Sequence, residues 1–139
     1  MELRQRALEV LRLCDPEEKS AAALDMYAQA ARISIATETR LTAPPADTLP
    51  GRPARLVLVH PREVPRRGLG GVEGRAAFIH AIAHIELNAI DLAWDAVYRF
   101  RGLPGSFHAD WVSCADDEAR HFLLLRERLL AHGHDYADF

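Results

Sequence analysis

Apolar residues recur at the three- and four-residue spacing of a helix in four stretches of this chain, and between the second and third stretch that spacing stops. The first stretch, from about Glu2 to Leu13, places Leu3, Ala7, Val10 and Leu11 on one side and halts at Asp15-Pro16. Asp15 is a natural cap for a second helix, with Pro16 in its first position and Glu17 and Glu18 in its first turn. That helix is expected to run through AAALDMYAQAAR to Ile33 or beyond. A third is predicted from Glu73 or Arg75 to Phe100, and a fourth from about Ala109 to Ala131, with Gly133 as its stop. The link Leu103-Pro104-Gly105 is short, so the last two helices should pack antiparallel.

Between residues 41 and 74 most of the prolines gather, followed by Gly68, Gly70 and Gly71, which excludes a continuous helix. The segment reads as a long crossover, in which the apolar piece Leu56 to Val59 could lie extended against the helices. Arg52, Arg55, Arg62, Arg66 and Arg67 cluster there. They suit either a strip that binds phosphate or RNA, or a crossover whose arginines pair with helix ends and surface acids. The lack of interleaved aromatic residues favours the second.

Two charges contradict the helical pattern. With Glu118 as origin, Trp111, Ala115, Phe122, Leu125 and Leu129 fall within about 60° of it, so it occupies the middle of the stripe expected to face the core. Glu86 stands likewise in line with Ile79, Ile82, Ala83, Ile90, Ala93 and Val97. A carboxylate at such a place must be paired, protonated or coordinating. His121, three residues after Glu118, returns to nearly the same face. Glu86 and Glu118 are both near mid-length, so an antiparallel hairpin brings Glu86, Glu118 and His121 together. Asp116 and Asp117 read as solvated, as do His60, His132 and His134. The acids Asp15, Glu17, Glu18 and Asp25 read as a cap and solvated faces. On the third helix His80, His84, Asn88, Asp91 and Asp95 form a narrow polar strip that should meet water or polar neighbours. His80 and His84 lie about 120–160° from Glu86. That leaves them hydrogen-bonding, capping or supporting roles rather than ligation of the same ion.

Length, charge and cysteine content narrow the class. The 139 residues suit one domain, divided here into N-terminal helices (1–40), crossover (41–74) and helical hairpin (75–132). A composition of 49% hydrophobic and 27% charged residues is that of a soluble globular chain. The net charge of −3 exerts no overall pull towards DNA or an anionic membrane. Cys14 and Cys114 fit no metal or redox spacing and read as reduced thiols. Charged residues follow Met1 at once, and no uninterrupted apolar run approaches the roughly 20 residues of a membrane helix. These features lead to an expectation of a bacterial-type cytoplasmic protein.

One glutamate on a helix, with Glu-x-x-His on its antiparallel neighbour, is half of the ligand set used by ferritin-like di-iron and di-manganese carboxylate proteins. Carboxylates and neutral imidazole suit iron or manganese, and a bridging carboxylate can hold two ions. The wording of the chain extends the likeness. REVPRR, EGRAAFIHAIAHIELNAIDLAWD, FHADWVSCADDEARHFLLLRERL and HGHDYADF resemble a domain-of-unknown-function family of bacterial ferritin-like proteins. That family is similar to the di-iron tRNA hydroxylases acting on prenylated, methylthiolated adenosine. The resemblance implies an all-α ferritin-like bundle with Glu86, Glu118 and His121 as the first half of a two-metal site. It also implies a continuation, absent here, that carries the second glutamate and second Glu-x-x-His. The chain is therefore expected to be a half-bundle: either a fragment, or a short protein that completes its site by self-association. On this resemblance the completed protein would be an oxidoreductase of hydroxylase type, with tRNA or a small molecule as substrate. The alternatives are a metal-free helical scaffold, in which the two glutamates share a proton or pair with His121 or an arginine, and an RNA-associated protein using the crossover. In the metal-binding reading Trp94, Tyr98 and Trp111 serve packing rather than redox chemistry.

Overall fold

The capping signals and the apolar periodicities produce four helices and no strand in the computed structural model, which describes residues 1–139. Helix α1 spans Leu3–Arg12, α2 Pro16–Gln29, α3 Val72–Arg99 and α4 Gly105–Ala131. Short 3-10 turns occupy Ala30–Arg32, Ala46–Thr48 and Pro61–Glu63. Glu2 caps α1, its carboxylate accepting from the amides of Arg4 and Gln5 at 2.9 and 2.7 Å. Asp15 caps α2 as expected, accepting from the Glu17 amide. Gly133 ends α4 with φ +82°, while the amides of Gly133 and His134 close onto the carbonyls of Leu130 and Leu129. Helix α4 begins earlier than its apolar pattern suggests, because the turn at Pro104 leads straight into helix at Gly105.

Helices α3 and α4 form the predicted antiparallel hairpin, against which α1 packs on α3 and α2 packs on α4. Trp94, Ile90, Val97, Val112, Phe122 and Leu129 are the fully buried centre of the core. Trp94 and Tyr98 are packing residues, and Trp111 lies at the core margin. Helix α3 is long and apolar enough to cross a bilayer on length and composition alone. In this fold it is the central helix of the core, carrying buried Asp91 and His80 on one side. Of the piece Leu56 to Val59, only Leu56 packs against the core; Val57, Leu58 and Val59 are exposed.

The crossover is anchored at Gly51, whose amide donates to the Leu11 carbonyl at 2.9 Å. A Cβ at this position would lie 2.3 Å from the Arg12 carbonyl oxygen, so the chain can approach the end of α1 only as glycine. Gly51→Ala is expected to lower stability by about 1–3 kcal/mol, the usual cost of forcing an extra group into a packed interior. A urea unfolding midpoint equal to that of the parent would contradict this.

The residues after Gly133 fold back over the hairpin. Tyr136 is 4% exposed, stacks on His80 at 4.9 Å and places its hydroxyl 2.6 Å from His84 Nδ1. The Ala137 amide donates to His80 Nε2 at 3.0 Å. Arg126 holds both carboxylate oxygens of Asp135, and Arg55 from the crossover holds Asp138. The polar strip of α3 thus meets polar neighbours, supplied by the tail at His80 and His84 and by Lys19 of α2 at Asp91.

Candidate metal centre

Glu86 from α3 and Glu118 and His121 from α4 meet near the middle of the hairpin. One donor atom from each lies within 4.8 Å of the other two. His121 Nδ1 is 3.4 Å from Glu118 Oε2 and 3.6 Å from Glu86 Oε2. The grouping expected from the sequence forms, but its surroundings differ from the expectation. The side chains of Glu86 and Glu118 are 21% and 29% exposed and that of His121 is 53% exposed. The cluster sits on the rim of the core and opens to solvent.

The helical wheel explains the displacement. On α3 the buried residues Ala83, Leu87, Ile90, Trp94 and Tyr98 centre about 80° round from Glu86. On α4, His108, Ala115, Ala119 and Phe122 centre about 80° round from Glu118. Each glutamate rides one edge of the true core arc. The apolar residues on its other side face water: Phe78, Ile85 and Leu92 on α3, and Leu124 on α4, are more than half exposed. The sequence pattern merges two adjacent apolar faces, one buried here and one bare, and places the glutamates at their combined centre.

His80 and His84 remain apart from the cluster, bound to the C-terminal tail as described, with His84 Nε2 also 3.1 Å from Asn88 Nδ2. They support packing on the far side of α3. Asp116 is a correction: expected to be solvated, it is 5% exposed, with one oxygen 3.2 Å from Arg120 Nε and the other without a partner. Asp117 is exposed, as expected. His132 and His134 are half-buried rather than exposed, and His60 is exposed. Sequence reasoning did not single out His108, which is completely buried with neither ring nitrogen bonded to a partner. Its place on the α4 core arc is the only signal that could have found it.

Burial pushes the pKa of His80, His84 and His108 below the ordinary histidine value; the nearby cations Arg52 for His84 and Arg4 for His108 push the same way. A depressed folded-state pKa means that the unfolded chain binds more protons as pH falls through the ordinary histidine range. This stability is fully present above about pH 6.5 and is lost on acidification towards the lowered values. The urea midpoint is expected to fall between pH 7.5 and pH 5, less steeply in His108→Leu. A parent and variant with equal pH dependence would refute His108's share.

Residues 12–139 match the family described as protein of unknown function, DUF455. The chain belongs to the DUF455 family. An uncharacterised protein of Haemophilus influenzae is 36% identical to this DUF455 chain over 148 residues, which cover 97% of the chain and 50% of that relative. The chain thus spans about half the length of this curated relative. No solved structure matches the chain. Glu86, Glu118 and His121 all fall inside the matched DUF455 region.

Proposed function

We propose that this chain supplies half of a dinuclear iron or manganese site of the ferritin-like carboxylate kind, within a protein of oxidoreductase, hydroxylase-like type. The observation that carries the reading is the convergence of Glu86, Glu118 and His121 donors within 4.8 Å on the bare face of an antiparallel helix pair. Two carboxylates and an imidazole are a donor set suited to iron or manganese, and three protein ligands leave coordination positions open. A bound redox metal of this kind supplies dioxygen-dependent oxidation chemistry. The chain's own residues would hold the ion, Glu86, Glu118 and His121 each offering one donor atom.

The exposed apolar residues flanking the cluster support completion by another helix pair. A second copy of the chain, or a further segment of a longer protein, would supply that pair. On the resemblance to tRNA hydroxylases, the substrate of the completed protein would be a modified adenosine in tRNA or a small molecule. A metal-free scaffold is the second reading, favoured by the nearness of His121 Nδ1 to both carboxylates, 3.4 Å from Glu118 and 3.6 Å from Glu86.

Manganese(II) titration followed by loss of the free-ion paramagnetic signal separates the two. The metal reading predicts saturable uptake that weakens in His121→Ala by more than the roughly 10–100-fold typical of residues behind the ligands. The scaffold reading predicts no saturable uptake and a lower unfolding midpoint in the same variant.

A further inference from the structure

We propose that the cleft between α1, the C-terminal half of α3 and the start of the crossover binds a small organic phosphate with an apolar or aromatic body. The cleft has a volume of about 740 Å³, within the range of small-molecule sites. Arg4 forms part of its lining and is 2% exposed. Its guanidinium donates to the carbonyls of Ala36 (2.8 Å), Thr39 and Tyr98 (3.1 Å), which fixes the entry of the crossover against α3. Arg40, Arg52, Arg99 and Arg101 also line the cleft.

The two acids lining it are already engaged: Asp95 with Arg99 at 2.9 Å and Asp91 with Lys19 at 2.6 Å. Arg40, Arg52 and Arg101 take part in no ion pair, and Arg4 is bonded only to neutral carbonyls. An acidic chain therefore keeps a concave site whose lining arginines, Arg4, Arg40, Arg52, Arg99 and Arg101, outnumber its two lining acids. Guanidinium forks match phosphate oxygens in pairs, and several of them favour a dianion over a single carboxylate. Leu41, Leu49 and Leu92 add an apolar wall, which inorganic phosphate would leave unused.

Arg62, Arg66 and Arg67 are not part of the cleft's lining. Asp91, Asp95 and Arg99 lie about 140–220° round α3 from Glu86. The polar side of the cleft and the candidate metal centre therefore lie on different sides of the helix, with Leu92 between them, and the cleft reading does not rest on the metal reading.

Calorimetric titration with phenyl phosphate, phenol and inorganic phosphate tests the assignment. Saturable binding of phenyl phosphate is expected, about tenfold or more tighter than either part alone. Arg101→Gln and Arg40→Gln, at exposed positions, should each weaken it about tenfold with an unchanged unfolding midpoint, and Arg66→Gln should leave it unchanged. Absence of saturable phenyl phosphate binding, or binding indifferent to Arg40 and Arg101, would overturn the proposal. So would displacement of the ester by a single-stranded RNA oligonucleotide whose affinity falls steeply with salt, because that would make the cleft part of a polyelectrolyte surface.

Discussion

Asp91→Ala is expected to destabilise the protein by roughly 3–5 kcal/mol, the cost of leaving a buried charge without its partner. The Lys19 ammonium is 1% exposed; its contacts are Asp91 at 2.6 Å and the Gly51 carbonyl at 2.8 Å. Desolvation lowers the Lys19 pKa and raises that of Asp91, in each case against the pull of the partner. Both shifts have the same meaning: water would hold these charges better than the interior does, and mutual attraction recovers only part of the loss. Removing one carboxylate leaves the ammonium with a single carbonyl. Replacing both, as Lys19→Met with Asp91→Leu, is expected to be neutral or stabilising. Urea unfolding of the two single variants and the double variant measures the coupling directly. If Asp91→Ala costs under about 1 kcal/mol, the pair is not a structural tie between α2, α3 and the crossover.

Local sequence signals reach only one partner of this pair. The caps at Asp15 and Gly133 and the long apolar periods of the hairpin are local signals, and they predicted element number and order. The polar strip of α3 is equally plain in the sequence. Its partners are not: Lys19 is 72 residues from Asp91 and Tyr136 is 52 residues from His84. Helical spacing cannot indicate which distant lysine or tail residue will cover a polar strip. Asp116 was misread for a related reason, since a lone aspartate beside Asp117 carries no sign of which of the two turns inward. Periodicity brought Glu86, Glu118 and His121 together correctly because all three lie on one hairpin with a short link. Their burial was overestimated, because helical periodicity does not separate an apolar face that packs in the core from one that stays exposed, as Phe78, Ile85, Leu92 and Leu124 do.

The second large effect concerns that open face. Glu118→Ala removes one carboxylate of the three-residue cluster and leaves His121 facing Glu86 alone at 3.6 Å. If the cluster ligates metal, uptake of iron or manganese should fall below detection, because a histidine and a single carboxylate are a poor set for either ion. Stability should change little or rise in the metal-free protein, since the side chain is only partly buried and one of its oxygens lies within 4.8 Å of a Glu86 oxygen. Glu118→Gln, which keeps the shape and loses the charge, should be nearly as damaging to metal uptake. Full uptake by Glu118→Gln would indicate that the ion is held elsewhere.

The most direct measurement is the iron and manganese content per chain, taken together with the mass of the species that carries the metal, on protein purified from metal-supplemented cells. The account predicts about one ion per chain, co-migrating with a paired species, and neither metal nor that species' metal-dependent share in Glu118→Ala. A single-copy, metal-free protein that is unchanged by Glu118→Ala would contradict completion of the site by a second copy and leave the helical scaffold as the better description of this chain.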